Sequence, residues 1–420
     1  MNRLNRTNNI CHHGPRRRSL RPCGRAAIWL LWLAVLLVGC SPAQPARRLE
    51  TELLALQTAH HSLQQQFGQL QSRLHELDAD FQRGSFFEPQ VITTPLDFAA
   101  ASNTLQLVQD RGQLRCGINV NAPGFGYLDP NDGEYRGFDI DICRAIAAAI
   151  LGENGVAKVK LIPLTSRTRF VALQSGEVDV LVRNTTWTLS RDSTLGFDFA
   201  PVTFYDGQGV MVAADSPIFD LAGLTGQAVC VAGGTTSETN IANYSETQGL
   251  ELDILPFDDS ETLRTAYEEG QCQGYTGDKS GLLGQRLLLS EPAAHRILVE
   301  DISREPLGPL VRQGDDAWLD MVSWTVQCLF NAELLGIEQK NVKQALNRAD
   351  LSARLLLGLE GELGAGLGLE NDFCYQVVSQ VGNYADIYNR NLGVQTGFNL
   401  PRGLNALYTD GGLLYPLPFR

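Results

Sequence analysis

An arginine set among hydroxyls and an amide is the most reactive-looking arrangement in this chain. Asn184-Thr185-Thr186-Trp187-Thr188-Leu189-Ser190-Arg191 follows the apolar run Val178 to Val182. A guanidinium offers a planar fork of donors that fits two carboxylate oxygens, and nearby hydroxyls complete such a cradle. The same residues also suit a plain helix start, with Thr188 or Ser190 capping ahead of Asp192. A second anion-seeking feature is Gly233-Gly234-Thr235-Thr236, where an apolar strand turns into a helix whose first amides are free. No lysine follows these glycines, so a nucleotide phosphate loop is a weak reading. Asp278 ends a third apolar stretch, as a solvated turn residue or as a fixed negative charge.

These residues need strands and helices to position them. Gln113 to Val120 reads as a strand, Phe138 to Leu151 as a helix and Lys158 to Pro163 as a strand. Thr168 to Ser175 is a helix ending at Gly176, and Val178 to Val182 a further strand. A second series holds the strands Gly209 to Ala213 and Ala228 to Ala232, then a helix from Gly234. Val311 to Asp315 leads into a helix from Ala317 to Leu329. Strands alternating with helices make an α/β arrangement, and open parallel sheets bind ligands at the carboxyl ends of their strands.

The 420 residues leave room for two or three domains. The formal net charge is −13, and residues 1–39 hold seven arginines and no acid. The remainder therefore sets 27 basic against 47 acidic side chains, which argues against a nucleic-acid partner. Arg16, Arg17, Arg18, Arg21 and Arg25 precede the apolar run Ala26 to Val38, which has signal-peptide proportions. Leu37-Val38-Gly39-Cys40 looks like a lipobox, with Cys40 lipidated and first in the mature chain. Residues 40–48 read as a tether and residues 84–102 as a linker.

Between them, residues 49–83 carry Leu49, Leu53, Leu56, His60, Leu63, Phe67, Leu70, Leu74, Leu77 and Phe81. Steps of four and three alternate without a break, the apolar seam of a coiled coil. Such a helix is on the order of 50 Å long and would act as a stalk. Its partner is most simply another copy of itself, and dimer and trimer both stay open.

Gly137-Phe-Asp-Ile-Asp-Ile-Cys-Arg-Ala-Ile-Ala-Ala-Ala-Ile150 resembles the signature of the family 3 extracellular solute-binding proteins, which capture polar amino acids for ABC importers. Asp139 and Asp141 would suit any helix N-terminus, but further segments match in order. These are Leu173-Gln-Ser-Gly-Glu-Val-Asp179, Arg183-Asn-Thr-Thr-Trp-Thr188, Arg304-Glu-Pro-Leu-Gly-Pro309, Val381-Gly-Asn-Tyr384 and Arg402-Gly-Leu-Asn405. They look most like the general or polar L-amino-acid binders, over roughly residues 103–420. Residues 49–83 have no counterpart in the family pattern.

The resemblance implies a two-lobed, type II periplasmic-binding-protein-like α/β fold behind the coiled-coil helix. Residues 103–203 and 305–420 would form one lobe and a C-terminal extension, and residues 204–304 the other, joined by crossing strands near Ala200 to Gly207 and Asp301 to Pro306. It assigns the ligand's carboxylate to Arg191, with Asn184 and Thr186 beside it and Thr236 and Thr235 facing it from the second lobe. Asp278 would pair with the α-ammonium, as an amino-acid zwitterion requires, and Phe125 would form an aromatic wall, a core aromatic being the alternative. The fold it implies favours disulfides Cys116–Cys143 and Cys230–Cys272, with Cys328–Cys374 a weaker third pair, while buried free thiols stay the alternative.

The resulting expectation is a lipid-anchored amino-acid-binding protein of the periplasm or cell surface. Its partners would be the permease subunits of an ABC importer, with no cofactor, no metal and no catalytic residues. An exported enzyme on the same fold, such as a cyclohexadienyl dehydratase-like lyase, is the rival, and it needs a cleft acid or base beyond the zwitterion clamp.

Overall fold

Two sheets covered by helices carry residues 103–420, which are the residues that the computed structural model describes. Cys40, the tether, the heptad segment 49–83 and the linker 84–102 lie outside the described residues, which belong to a single compact unit, Thr94–Arg420.

The first sheet has the order Val159–Pro163, Leu114–Ile118, Val180–Leu181, Leu310–Arg312, Phe197–Phe199. Its first three strands are parallel, and Leu310–Arg312 runs antiparallel to both of its neighbours. The second sheet has the order Asp253–Phe257, Ala228–Ala232, Gly274–Asp278, Phe204–Ala213, His295–Ile297, and Ser303–Leu307 also pairs with Phe204–Ala213. The chain passes between the sheets twice. Its outward strand Phe204–Ala213 and its returning strand Ser303–Leu307 lie antiparallel, with Asp206 opposite Glu305. That pairing makes the hinge of a two-lobed molecule. The outward strand begins five residues before Gly209, because Asp206, Gly207 and Gln208 find strand partners in residues nearly a hundred positions later.

The helix Phe138–Leu151 has the bounds that the sequence implies. Gly137 opens it at φ 138°, where an added Cβ would stand 2.1 Å from the Phe125 carbonyl oxygen, so only glycine fits. Its alanines Ala145, Ala147, Ala148 and Ala149 are buried against the first sheet and the helix Phe373–Gln380. Small side chains there let the elements approach closely. The largest helix, Asp316–Leu334, buries Trp318, whose Nε1 donates to the Asp179 carbonyl at 3.0 Å.

Three disulfides hold these layers. Cys116–Cys143 ties the strand Leu114–Ile118 to the helix Phe138–Leu151, and Cys328–Cys374 ties Asp316–Leu334 to Phe373–Gln380. Cys230–Cys272 joins the strand Ala228–Ala232 to a turn residue just before Gly274–Asp278, so Cys272 is not itself on a strand. The bridges close separations of 27, 42 and 46 residues. In the chain-entropy account each stabilises by roughly 4 kcal/mol.

Candidate binding site

The carboxyl ends of the parallel strands of both sheets open into one cavity of about 130 Å³. After Leu114–Ile118 come Asn119 and Asn121, and after Val180–Leu181 come Arg183, Asn184 and Thr186. From the second sheet Thr235 and Thr236 follow Ala228–Ala232, and Asp278 ends Gly274–Asp278. Over the cavity the lobes meet directly. Gln285 Nε2 donates to the Asn121 carbonyl at 2.7 Å, and Arg167 Nε lies 2.6 Å from Asp258 Oδ1.

Arg191 is buried on a π-helical turn, Ser190–Thr194, rather than on a regular α-helix. The wide turn is a recurrent device at functional sites. Its Nη1 donates to the Thr186 carbonyl at 2.7 Å, and its guanidinium stands 5.2 Å from the Phe170 ring centroid. Burial lowers its pKa, against the raising influence of Glu305 and Asp278, yet an arginine stays protonated. Asn184 sits at φ 42°, a left-handed conformation that asparagine tolerates. Its backbone N–H donates to Asp139 Oδ2 at 2.8 Å, while its buried side-chain oxygen has no partner. Burial raises the Asp139 carboxyl to about 7, against the Asn184 N–H and the charge of Arg183.

The threonines of the two lobes meet: Thr186 Oγ1 and Thr236 Oγ1 are 3.3 Å apart. Thr235 caps the helix Thr236–Gln248, accepting from the Glu238 N–H at 3.3 Å and donating to the Ala232 carbonyl at 2.6 Å. Its hydroxyl proton is therefore taken up by the backbone. Asp278 is held well above the usual carboxylate range by burial and by the like charges of Asp206 and Glu305, with Arg169 and Arg191 opposing. Asp206 is itself raised to about 6, chiefly by burial, although Ser280 donates to it through its hydroxyl and backbone N–H. A cation arriving between these acids would be strongly favoured.

Six of the seven ligand residues read from the sequence line this cavity: Asn184, Thr186, Arg191, Thr235, Thr236 and Asp278. Phe125 does not. Its ring is 0% exposed and packs edge-on against Phe138 and Phe204, at 5.9 and 5.0 Å between centroids. The Phe125 N–H bonds the Ala122 carbonyl in a tight turn that sends the side chain under the helix Phe138–Leu151. Tyr275 is the aromatic residue among those that line the cavity, and its ring packs edge-on against Tyr267 at 5.9 Å between centroids.

Arg169 and Arg183 also line the cavity and were missed. Arg183 Nε donates to the Leu164 carbonyl at 2.8 Å. Burial lowers its pKa to about 10, and Asp139 opposes that shift. Arg169 is 2% exposed, makes one long bond to Thr185 Oγ1 at 3.3 Å and leaves Nε without an acceptor. Burial and the charges of Arg183 and Arg191 push its pKa well down, with Asp278 opposing. Arg183 adjoins the assigned Asn184, so position alone could have suggested it. Nothing in the sequence marks Arg169.

A cleft between two α/β lobes, positive on one wall and acidic on the other, defines a closing solute receptor. The chain belongs to the bacterial extracellular solute-binding proteins, family 3, whose model matches residues 114–344. It is similar to the general L-amino acid-binding periplasmic protein of Rhizobium johnstonii, with 46% identity over 324 residues, 77% of this chain and 94% of the relative. It is also similar to the glutamate/glutamine/aspartate/asparagine-binding protein of Rhodobacter capsulatus, with 44% identity over 339 residues, 80% and 99% of the two chains. Among solved structures it resembles a Brucella ovis periplasmic binding protein with glutathione bound, at 45% identity and a TM-score of 0.73, covering 76% of this chain and 99% of that one. These relatives are binding proteins, and so is this chain, not the lyase that the fold also permits.

Proposed function

We propose that this protein captures L-amino acids in the periplasm and delivers them to an ABC importer. The observation that carries the reading is that Arg191 from one lobe and Asp278 from the other line one cavity, together with Thr186 and Thr236, whose hydroxyls are 3.3 Å apart. Arg191 takes the α-carboxylate, Asp278 the α-ammonium, and Asn184 and Thr235 border the clamp. Each lobe supplies part of it, so ligand favours the closed form by its differential affinity for that form.

Acidic and amide amino acids fit best. The Arg169 guanidinium is buried with donors to spare, and a side-chain carboxylate would answer it. The Rhodobacter capsulatus relative is named for such ligands. The cavity of about 130 Å³ is matched here to a single amino acid, and glutathione, the ligand of the Brucella ovis structure, is the larger probe to set against it. Calorimetric titration with the twenty amino acids and glutathione tests this. Glutamate, aspartate and their amides should rank tightest, and no binding by any amino acid would end the reading.

The lipid anchor at Cys40 and the stalk at 49–83 complete the proposal. A chain of residues 41–420 should self-associate, one of residues 100–420 should be monomeric, and association should weaken as His60 gains charge at mildly acid pH. Sedimentation equilibrium at matched concentration checks it. A monomeric long chain at tens of micromolar would remove the stalk's oligomeric role.

A further inference from the structure

Glu305 lines no part of the cavity, yet it touches both halves of the clamp. It is 2% exposed, on the returning hinge strand Ser303–Leu307. Its Oε2 accepts from Thr186 Oγ1 at 2.5 Å and from Thr236 Oγ1 at 3.1 Å. Its Oε1 accepts from Asn240 Nδ2 at 2.9 Å and from the Ser303 hydroxyl. One carboxylate therefore joins a threonine of the first lobe, a threonine and an asparagine of the second, and the hinge between them.

A threonine hydroxyl carries one proton and two lone pairs. With both protons directed at Glu305, each hydroxyl is fixed about its Cβ–Oγ1 bond, and so are the lone pairs it offers the cavity. Two side chains from different lobes meet at 3.3 Å because they share an acceptor. We propose that Glu305 is a positioning residue for ligand binding: it holds Thr186 and Thr236 together as one cradle and makes their approach part of hinge closure. Without that acceptor the two hydroxyls have no reason to converge, and closing the lobes around a ligand orders them anew.

This inference rests on the amino-acid reading above, so the experiment must separate the two. Glu305→Gln keeps the size of the side chain but turns one acceptor into a donor. Wild type, Glu305→Gln, Thr186→Val with Thr236→Val, and the triple variant are each titrated with L-glutamate and, in parallel, L-glutamine. Glu305→Gln should weaken binding about tenfold, the magnitude of a hydrogen bond to a charged group. The threonine pair should weaken it at least as much, and the triple variant should be within about twofold of the pair. A purely structural role would instead give losses that multiply. Multiplying losses, or wild-type affinity in Glu305→Gln, would overturn the proposal. Should Glu305→Gln fail to fold, Asn240→Ala removes one of the two donors that orient the carboxylate through its Oε1, the other being the Ser303 hydroxyl. Its smaller loss should likewise vanish in the threonine-free background, and persistence there would overturn the proposal. If the wild type binds neither, the same four proteins are titrated with its tightest amino acid, and a wild type that binds no amino acid would overturn the proposed function and this inference with it.

Discussion

Arg191→Ala should weaken amino-acid binding by about 2–5 kcal/mol, or about 30- to several-thousand-fold. The guanidinium is buried, donates to the Thr186 carbonyl and stands against the Phe170 ring, and among the described residues no carboxylate lies within ion-pair distance of it. Removing it leaves a ligand carboxylate desolvated and without its charged partner. Arg191→Lys should recover little, because an ammonium cannot fork across two oxygens while holding the Thr186 carbonyl. Arg169 and Arg183 stay in the Ala variant and keep the cavity positive. The loss therefore measures placement of charge rather than net charge. Calorimetry on the variant's tightest amino acid decides it, and an affinity near wild type would take Arg191 out of the site.

The residues that the sequence made legible are those whose chemistry sits directly after a strand. Asn184 and Thr236 come within four residues of apolar strands and Asp278 ends one, while Arg191 stands on the turn that follows the first of them, and parallel strands deliver their carboxyl ends to one edge. The helix Phe138–Leu151 was bounded correctly because glycines stand at both ends, Gly137 and Gly152. Phe125 was misplaced because an aromatic after a turn looks the same whether it faces a cleft or a core. Glu305 was passed over although it lay within a recognised motif. Its partner Thr186 is 119 residues away, and only the return of the chain through the hinge brings the two together. Arg169 gives no local sign either: a charged residue on the short helix Arg169–Gln174 reads as solvated until the second lobe covers it. The family resemblance thus named the residues of the proposed clamp, while the groups that contact them from elsewhere in the chain depend on long-range pairing.

Affinity for amino acids should fall as pH drops below neutrality, and binding near pH 7 should release protons. Asp278 is the group concerned. Facing it are the acids Asp206 and Glu305 and the cations Arg169 and Arg191, and burial with the like charges leaves its carboxyl well above the ordinary range. Asp206, at about 6, shares this cluster. The empty site therefore holds protons at pH values where a solvated aspartate would not. A ligand's α-ammonium favours the ionised carboxylate and lowers the bound-state pKa, so binding expels what the empty site held. The bound state carries fewer protons, so affinity rises with pH until the empty site is itself ionised. The same shifts act on stability with the opposite sense. Folded Asp139, Asp206 and Asp278 bind protons more tightly than they do unfolded, so ligand-free stability should decline as pH rises from about 5 towards 8. Saturating ligand should flatten that decline, because its ammonium compensates the cluster. Titration calorimetry in two buffers of different ionisation enthalpy gives the proton count, and melting curves with and without ligand give the stability slopes. Asp278→Asn should abolish most of the proton release together with most of the affinity. Buffer-independent enthalpies and a flat affinity between about pH 5.5 and 8 would mean that Asp278 is already ionised in the empty cleft, and that Arg169 and Arg191 outweigh burial there.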